Sequence, residues 1–337
     1  MERTLNKVLI ETIFRNQLKE MKNNPERSMR NMVDMALEFS DGRFQHRFFE
    51  MTQRMLQNEH SAYYKMIADN VMSIDEERIV RFGMNVGYNG CTLGARMIRE
   101  REQKEHFNIP WTIYFEMSGN HYLGKNDISS SLVEQGQELG IYTWMIRVLD
   151  GMEQVLELPR LFLESAFVLF CSPKDITESL LDDVNDIHNI MFAVEYTDGI
   201  EDACSLLRAR RMFYSVFVQY HEEDLNAIVS GDILSELENL HPVFTGFIAD
   251  LSCSVETQAY IYQYILDTRN AQLYRTIPWD VVCDSHYVDG IISDGACTLG
   301  FDCNVRAYSF VNMSKGKEYE LSKQSLEEIL RENFPKT

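Results

Sequence analysis

No two cysteines in this chain stand close enough to make a ligand pair. The seven, Cys91, Cys171, Cys204, Cys253, Cys283, Cys297 and Cys303, form no CxxC spacing and are odd in number. Zinc and iron–sulfur sites usually use closer sets, so these residues read as small buried hydrophobes of a reducing compartment. No apolar run approaches the ~20 residues that span a bilayer, and the N-terminus lacks the apolar core of a signal peptide. A cytoplasmic location is therefore expected. Positive charge is scarce too: 32 Lys and Arg face 52 Asp and Glu, a net charge of −20. Phosphate neutralisation needs clustered cations, so a nucleic-acid partner is excluded and the acidic balance reads as a device for solubility. The GxSxG elbow, the GxxxxGK[ST] loop, GxGxxG after a strand, and the HxH and HExxH pairs are all missing. Nucleophilic and nucleotide-binding classes thus lack their usual signatures.

What is present is an ordinary globular composition, 45% hydrophobic and 25% charged over 337 residues. That suits one large α/β barrel with extensions as well as two domains. Residues 1–80 read as helical. Leu5, Val8, Leu9, Thr12 and Ile13 repeat with helical spacing, as do Met29, Met32, Val33, Ala36 and Leu37. Asn23-Asn24-Pro25 separates these two helices, and Ser40-Asp41-Gly42 ends the second. Ser73-Ile74-Asp75-Glu76 resembles a capping box opening the next helix. Methionine is frequent here and reads as core before it reads as a partner surface.

From Trp111 onward the pattern changes to short β-branched and aromatic runs alternating with amphipathic stretches. Strands are expected at 111–116, 141–147, 166–171, 190–196, 212–220 and 243–250. Helices are expected at about 127–139, 153–164, 175–188, 200–210, 222–239 and 255–269. Such βαβ punctuation calls for a parallel sheet with helices outside it. After about residue 276 the alternation lapses, and Val281-Val282-Cys283, Gly290-Ile291-Ile292, Cys297-Thr298-Leu299 and Ala307 to Val311 read as short strands. Ser322 to Asn333 reads as a closing amphipathic helix. The expected division is a helical N-terminal region at 1–108, a (β/α) barrel core at 109–275, and C-terminal strands and helix at 276–337.

Ligands of parallel β/α barrels sit at the C-terminal ends of the strands, where the loops gather. That rule selects Glu116, Asp150, Glu195, Asp198 and Asp250, with Glu222 and Asp224 after the fifth strand and His121, His221 and His286 near the same mouth. Carboxylates and imidazoles converging there would suit a divalent metal, whereas acids also favour helix N-termini at this end. Cys171 ends the third strand and reads as packed and inert. The aromatics Tyr114, Phe115, Tyr142, Trp144, Tyr196, Tyr214 and Tyr220 read as core.

The order of several segments resembles the radical SAM family, in particular a bacterial subgroup with a helical N-terminal region. Phe82-Gly83-Met84-Asn85-Val86-Gly87-Tyr88-Asn89-Gly90, then Asn108-Ile109-Pro110-Trp111, is similar to the lead-in to that family's first barrel strand. Glu134 to Tyr142 resembles the following helix end and second strand; Ala193-Val194-Glu195 is similar to a Ser-Val-Glu-like strand end; Tyr287-Val288-Asp289-Gly290-Ile291 resembles a Tyr-Val-Gly-Gly-Cys segment. The resemblance implies an α/β fold, a partial (β/α)6 TIM-type barrel with the helical region before it and a small β-rich extension after it. It also exposes departures. Residues 116–126 contain no cysteine where the family carries CxxxCxxC for an iron–sulfur cluster that chelates S-adenosylmethionine. Val148-Leu149-Asp150-Gly151 replaces the Gly-Gly-Glu-Pro that meets the SAM ammonium, and Ile291 stands at the C-terminal cysteine. By the resemblance, Asp150 would still face an ammonium and Glu195 ribose hydroxyls. The expectation is a degenerate barrel without the cluster, no cofactor beyond residual SAM or a divalent metal, and a binding, regulatory or accessory role beside an active relative. The alternative is a repurposed enzyme using the strand-end carboxylates. No membrane or nucleic-acid partner is expected.

Overall fold

The computed structural model describes residues 2–38, 43–309 and 319–336. Helices α1 (Glu2–Met21), α2 (Pro25–Glu38), α3 (Arg43–Met55), α4 (Ala62–Ser73) and α5 (Glu76–Met84) precede a π-helical segment, Asn85–Gly94, which runs into α6 (Ala95–Glu105). Pro25 opens α2 because its missing N–H would be unpaired in the first helical turn anyway. The expected stop at 40–42 lies outside the described residues. Two local expectations need correcting. Val8 and Leu9 are exposed; α1 buries Leu18 and Met21 instead, with Phe14 packed beside them. The cap of α5 is Asp75 rather than Ser73, because its carboxylate accepts the N–H groups of Glu77 and Arg78. Leu18, Met21, Met29, Val33, Tyr64, Val80 and Met84 form a small core of their own.

The α/β part starts with β1 (Thr112–Ser118) and α7 (Ile128–Leu139), followed by β2 (Thr143–Asp150). Two short helices, α8 (Met152–Val155) and α9 (Glu157–Leu161), lead to β3 (Ala166–Cys171), and α10 (Glu178–Asp183) leads to β4 (Ile190–Glu195). Next come α11 (Ile200–Ala209), β5 (Tyr214–Tyr220), α12 (Leu225–Val229), α13 (Asp232–Leu237), β6 (Phe244–Ala249) and α14 (Val255–Ala271). The chain closes with β7 (Ile277–Asp280), α15 (Val281–Ile292), β8 (Leu299–Phe301), β9 (Ala307–Ser309) and α16 (Leu326–Asn333). All nine strands form one sheet in the order β7-β6-β5-β4-β3-β2-β1-β8-β9. Every pairing is parallel except β8 with β9. Among the described residues no ladder joins the two outer strands, β7 and β9, so the sheet is open there.

The six expected strands are all present. The region after 276 is different: 281–283 and 290–292 belong to α15, not to strands, while β7 adds a seventh parallel strand. Asp280 decides this, because its carboxylate accepts the N–H groups of Val282 and Cys283 and starts a helix where β-branched composition alone suggests strand. Residues 310 and 311, expected to extend the last strand, lie outside the described residues.

The lead-in segment docks the helical region on the base of the barrel. Asn85 donates to the carbonyls of Leu163 and Ser165, and Asn89 to that of Glu164. The buried Arg78 donates to the carbonyls of Ile187 and Val184. Asp289 of α15 accepts the N–H of Trp111 and the hydroxyl of Thr298, fastening the start of β1 to α15 and β8. Among the described residues no helix is long and apolar enough to cross a membrane.

Candidate functional site

Residues alternate between the two faces of a strand, and the faces of this sheet differ. Trp144, Ile146, Phe167, Leu169, Phe192 and Val216 face the helices and are wholly buried. The Trp144 ring lies against Gly136 of α7, which fixes the direction of that face. On the other face Met145, Val168, Phe170, Met191 and Phe217 keep 5–8% of their surface. Rings from alternate strands meet there: Tyr114 and Phe170 at 5.9 Å across β2, Phe170 and Phe217 at 5.3 Å across β4. Side chains reach over an intervening strand in this way only on a concave face. That face is the floor of the candidate site, and the C-terminal ends of the strands are its rim.

At the first rim position β1 and β2 are knotted together. Asp150 accepts the Ser118 hydroxyl at 2.7 Å and the Asn120 N–H at 3.1 Å, and His121 Nδ1 lies 2.8 Å from the same hydroxyl. The bond from Ser118 holds the Asp150 carboxyl below its ordinary range. Gly119 is pressed onto Gly151: a Cβ at 119 would lie 1.9 Å from the Gly151 carbonyl oxygen. Thus Ser118, which the sequence reading missed, joins two residues it singled out. The three residue types of a catalytic triad meet here in the wrong order, because the hydroxyl sits between imidazole and carboxylate, whereas a triad needs the imidazole in the middle.

Residues Gly119 to Lys125 also come within one side chain of a phosphate loop, with Asn126 where Ser or Thr is needed. The backbone forms two short 3-10 turns instead of a phosphate cradle. Asp127 then caps α7 by accepting the Ser129 N–H, so a carboxylate already fills the place an anion would take.

The second rim group surrounds Asp250, which accepts the N–H and hydroxyl of Ser252 and stands 3.8 Å from His221. The Ser252 hydroxyl holds its carboxyl low. Glu222 accepts the N–H and hydroxyl of Ser254, which caps α14, and Asp224 accepts the His221 N–H. Glu195 is half-buried at the end of β4, and Asp198 is exposed beyond it. Glu116 lies on the concave face with Oε2 3.3 Å from the Cys303 N–H. His286 departs from expectation: it lies within α15, half-buried, and burial pushes its pKa down. Burial also raises the Cys171 thiol well above its ordinary value, so it stays protonated.

These acids fall into separate local networks. Among the described residues no three His, Cys, Asp or Glu side chains form a group that could hold a metal ion. Glu116, Asp150, Glu195 and Asp250 therefore do not make the divalent-metal site that the alternative reading requires. The donor set for an iron–sulfur cluster does not fit either. Residues 116–126 offer no thiol, Cys171, Cys204, Cys253 and Cys297 are buried, and Cys303 alone is exposed. Ile291 is buried in the main core near the base.

One more side chain escaped the sequence reading. Arg147 is exposed on the concave face of β2, in register with Glu116 on β1 and Phe170 on β3. Its signal was a lone cation inside an apolar run.

No protein-family model matches the chain, and no curated protein matches it. Similarity appears among solved structures. Streptococcus suis SuiB bound to S-adenosylmethionine aligns with a TM-score of 0.51 at 7% identity, over 70% of this chain and 66% of that one, just under two thirds of its length. A second structure of SuiB aligns with a TM-score of 0.50 at 7% identity, over 89% of this chain and 78% of that one. At such identity the likeness is one of fold. The chain has a radical-SAM-like α/β architecture, a parallel sheet preceded by helices, as the order of its sequence segments implies.

Proposed function

We propose that this chain is a radical-SAM-like barrel without the iron–sulfur chemistry, working as a binding or accessory protein through the open end of its sheet. The observation that carries the reading is the β1–β2 knot. Where a cluster loop would leave β1, the backbone closes on itself within a few residues, without a thiol, and Gly119 against Gly151 leaves no room between the loops. Asp150, the acid matched to the SAM-binding motif, is already committed to Ser118 and Asn120. Val148 and Leu149 add β-carbons where that motif has glycines, so close backbone approach of a ligand is hindered. Residual affinity for S-adenosylmethionine is the remaining link to the neighbour that binds it, and a protein partner such as an active relative fits an accessory role.

The test is elemental analysis of protein purified without oxygen or chelators, then reconstituted anaerobically with iron and sulfide. Sub-stoichiometric iron and sulfide are expected. A stoichiometric cluster overturns the proposal. Titration with S-adenosylmethionine, followed by calorimetry, measures what affinity the barrel keeps; tight, cluster-independent binding would turn the reading from accessory barrel to SAM-binding protein.

A further inference from the structure

We propose that Arg147 anchors a subsite for a monocarboxylate with an apolar body on the concave face of the sheet. The inference rests on reading that face as a binding site and names what it takes.

Among the described residues the nine strands contain one basic side chain, Arg147. A guanidinium in the middle of a central strand gives up the packing an apolar residue would make there. Its strand neighbour Glu116 lies directly across the β1–β2 ladder, where opposite charges normally pair. They do not pair. Glu116 turns to the Cys303 N–H, and among the described residues Arg147 makes no ion pair. Arg147 instead donates a hydrogen bond to the Tyr114 hydroxyl, and the Tyr308 phenol stands near its charge. Tyr308 lies across Gly300, where a Cβ would stand 2.4 Å from its ring, so the glycine makes room for the tyrosine on this floor. The guanidinium is thus framed by two tyrosines and by Phe170, and left open to solvent.

The chemistry of the ligand follows from these parts. A planar fork of donors with one positive charge matches one carboxylate in two parallel hydrogen bonds. Glu116, directly across the ladder, adds negative charge beside the guanidinium and disfavours a multiply charged anion such as phosphate more than a monocarboxylate. The Phe170–Phe217 ring pair beside it keeps 5% and 7% of its surface exposed, and that apolar edge is where the rest of the molecule would lie.

The probes are 3-phenylpropanoate and a short peptide ending in phenylalanine, each beside its neutral amide, titrated by calorimetry or ligand-observed NMR. At least one acid should bind about tenfold more tightly than its amide, the ratio expected for a charge-assisted pair. Arg147→Gln should abolish that preference, and Arg147→Lys should keep part of it, with circular dichroism showing both variants folded. Preference for the small acid identifies a free carboxylic acid, and preference for the peptide acid identifies a chain terminus; either supports the subsite. Acids and amides binding alike, no binding by either acid, or an unchanged preference in Arg147→Gln overturns it. These outcomes are independent of the iron and sulfide content that decides the accessory-barrel reading.

Discussion

The two faces of the same sheet obey different rules. The helix-facing side is buried and almost entirely apolar, with Trp144, Phe167, Leu169 and Phe192 wholly buried. The concave side carries Glu116, Arg147, Glu195 and Gln219 among its apolar residues and touches water at most positions. The wholly buried core thus lies on one face, and the proposed binding site on the other. A protein that needed only a scaffold would gain by filling the concave side with aliphatic residues, because each buried methylene contributes roughly 0.8 kcal/mol. Arg147 is the exception on that face, and it is where the proposed subsite is placed.

The largest expected effect tests the dry side. Trp144→Ala should lower the unfolding free energy by ~3–5 kcal/mol, from lost transfer energy and the cavity beside Gly136. Urea denaturation measures it, and a loss under 1 kcal/mol would mean that this face is not the main core. Next is the rim. Gly119→Ala should cost at least the ~1–3 kcal/mol of overpacking, since its Cβ would collide with the Gly151 carbonyl. A wild-type melting temperature would show that the β1–β2 knot is loose and has room for more than a closed turn.

The third expectation concerns the buried charge on the dry side. Burial raises the Asp289 pKa to about 7 in the folded state. Unfolded it titrates near 3.9. From about pH 4 to 7 the folded protein holds a proton that the unfolded chain has released, so this group's stabilisation is complete below pH 4 and lost as pH rises through 7. Asp289→Asn should flatten that decline. An identical pH profile for the variant would remove Asp289 as its source. The smallest effect belongs to the concave side: Arg147→Gln should change stability by no more than ~0.5 kcal/mol, because the side chain is exposed and has no ion pair among the described residues. A loss of several kcal/mol would make Arg147 a structural residue and erase the contrast between the faces.

Much of the fold was legible. Phe167 to Cys171 and Met191 to Val194 are apolar runs of strand length, so β3 and β4 fall where the residues alone place them. Long helices with clear caps, α7 behind Asp127 and α14 behind Ser254, were equally readable. The failures were local contests. Val281-Val282-Cys283 favours strand by composition, but the Asp280 cap supplies the hydrogen bonds of a helix start. At the site, Glu116, Asp150 and Asp250 were found as strand-end acids, while their dispersal into three networks was not legible. Ser118 and Arg147 were missed because a serine in a loop and an arginine in a strand carry no motif.

The sequence by itself determined the period of the strands and helices, the parallel α/β class and the lack of cluster cysteines, because side-chain pattern, cap chemistry and donor atoms are local properties. Tertiary structure alone decided that Asp150 closes on Ser118, that Glu116 makes no ion pair with Arg147, and that the acids do not converge. Those outcomes depend on distances between strands far apart in the chain, which only register and sheet curvature set.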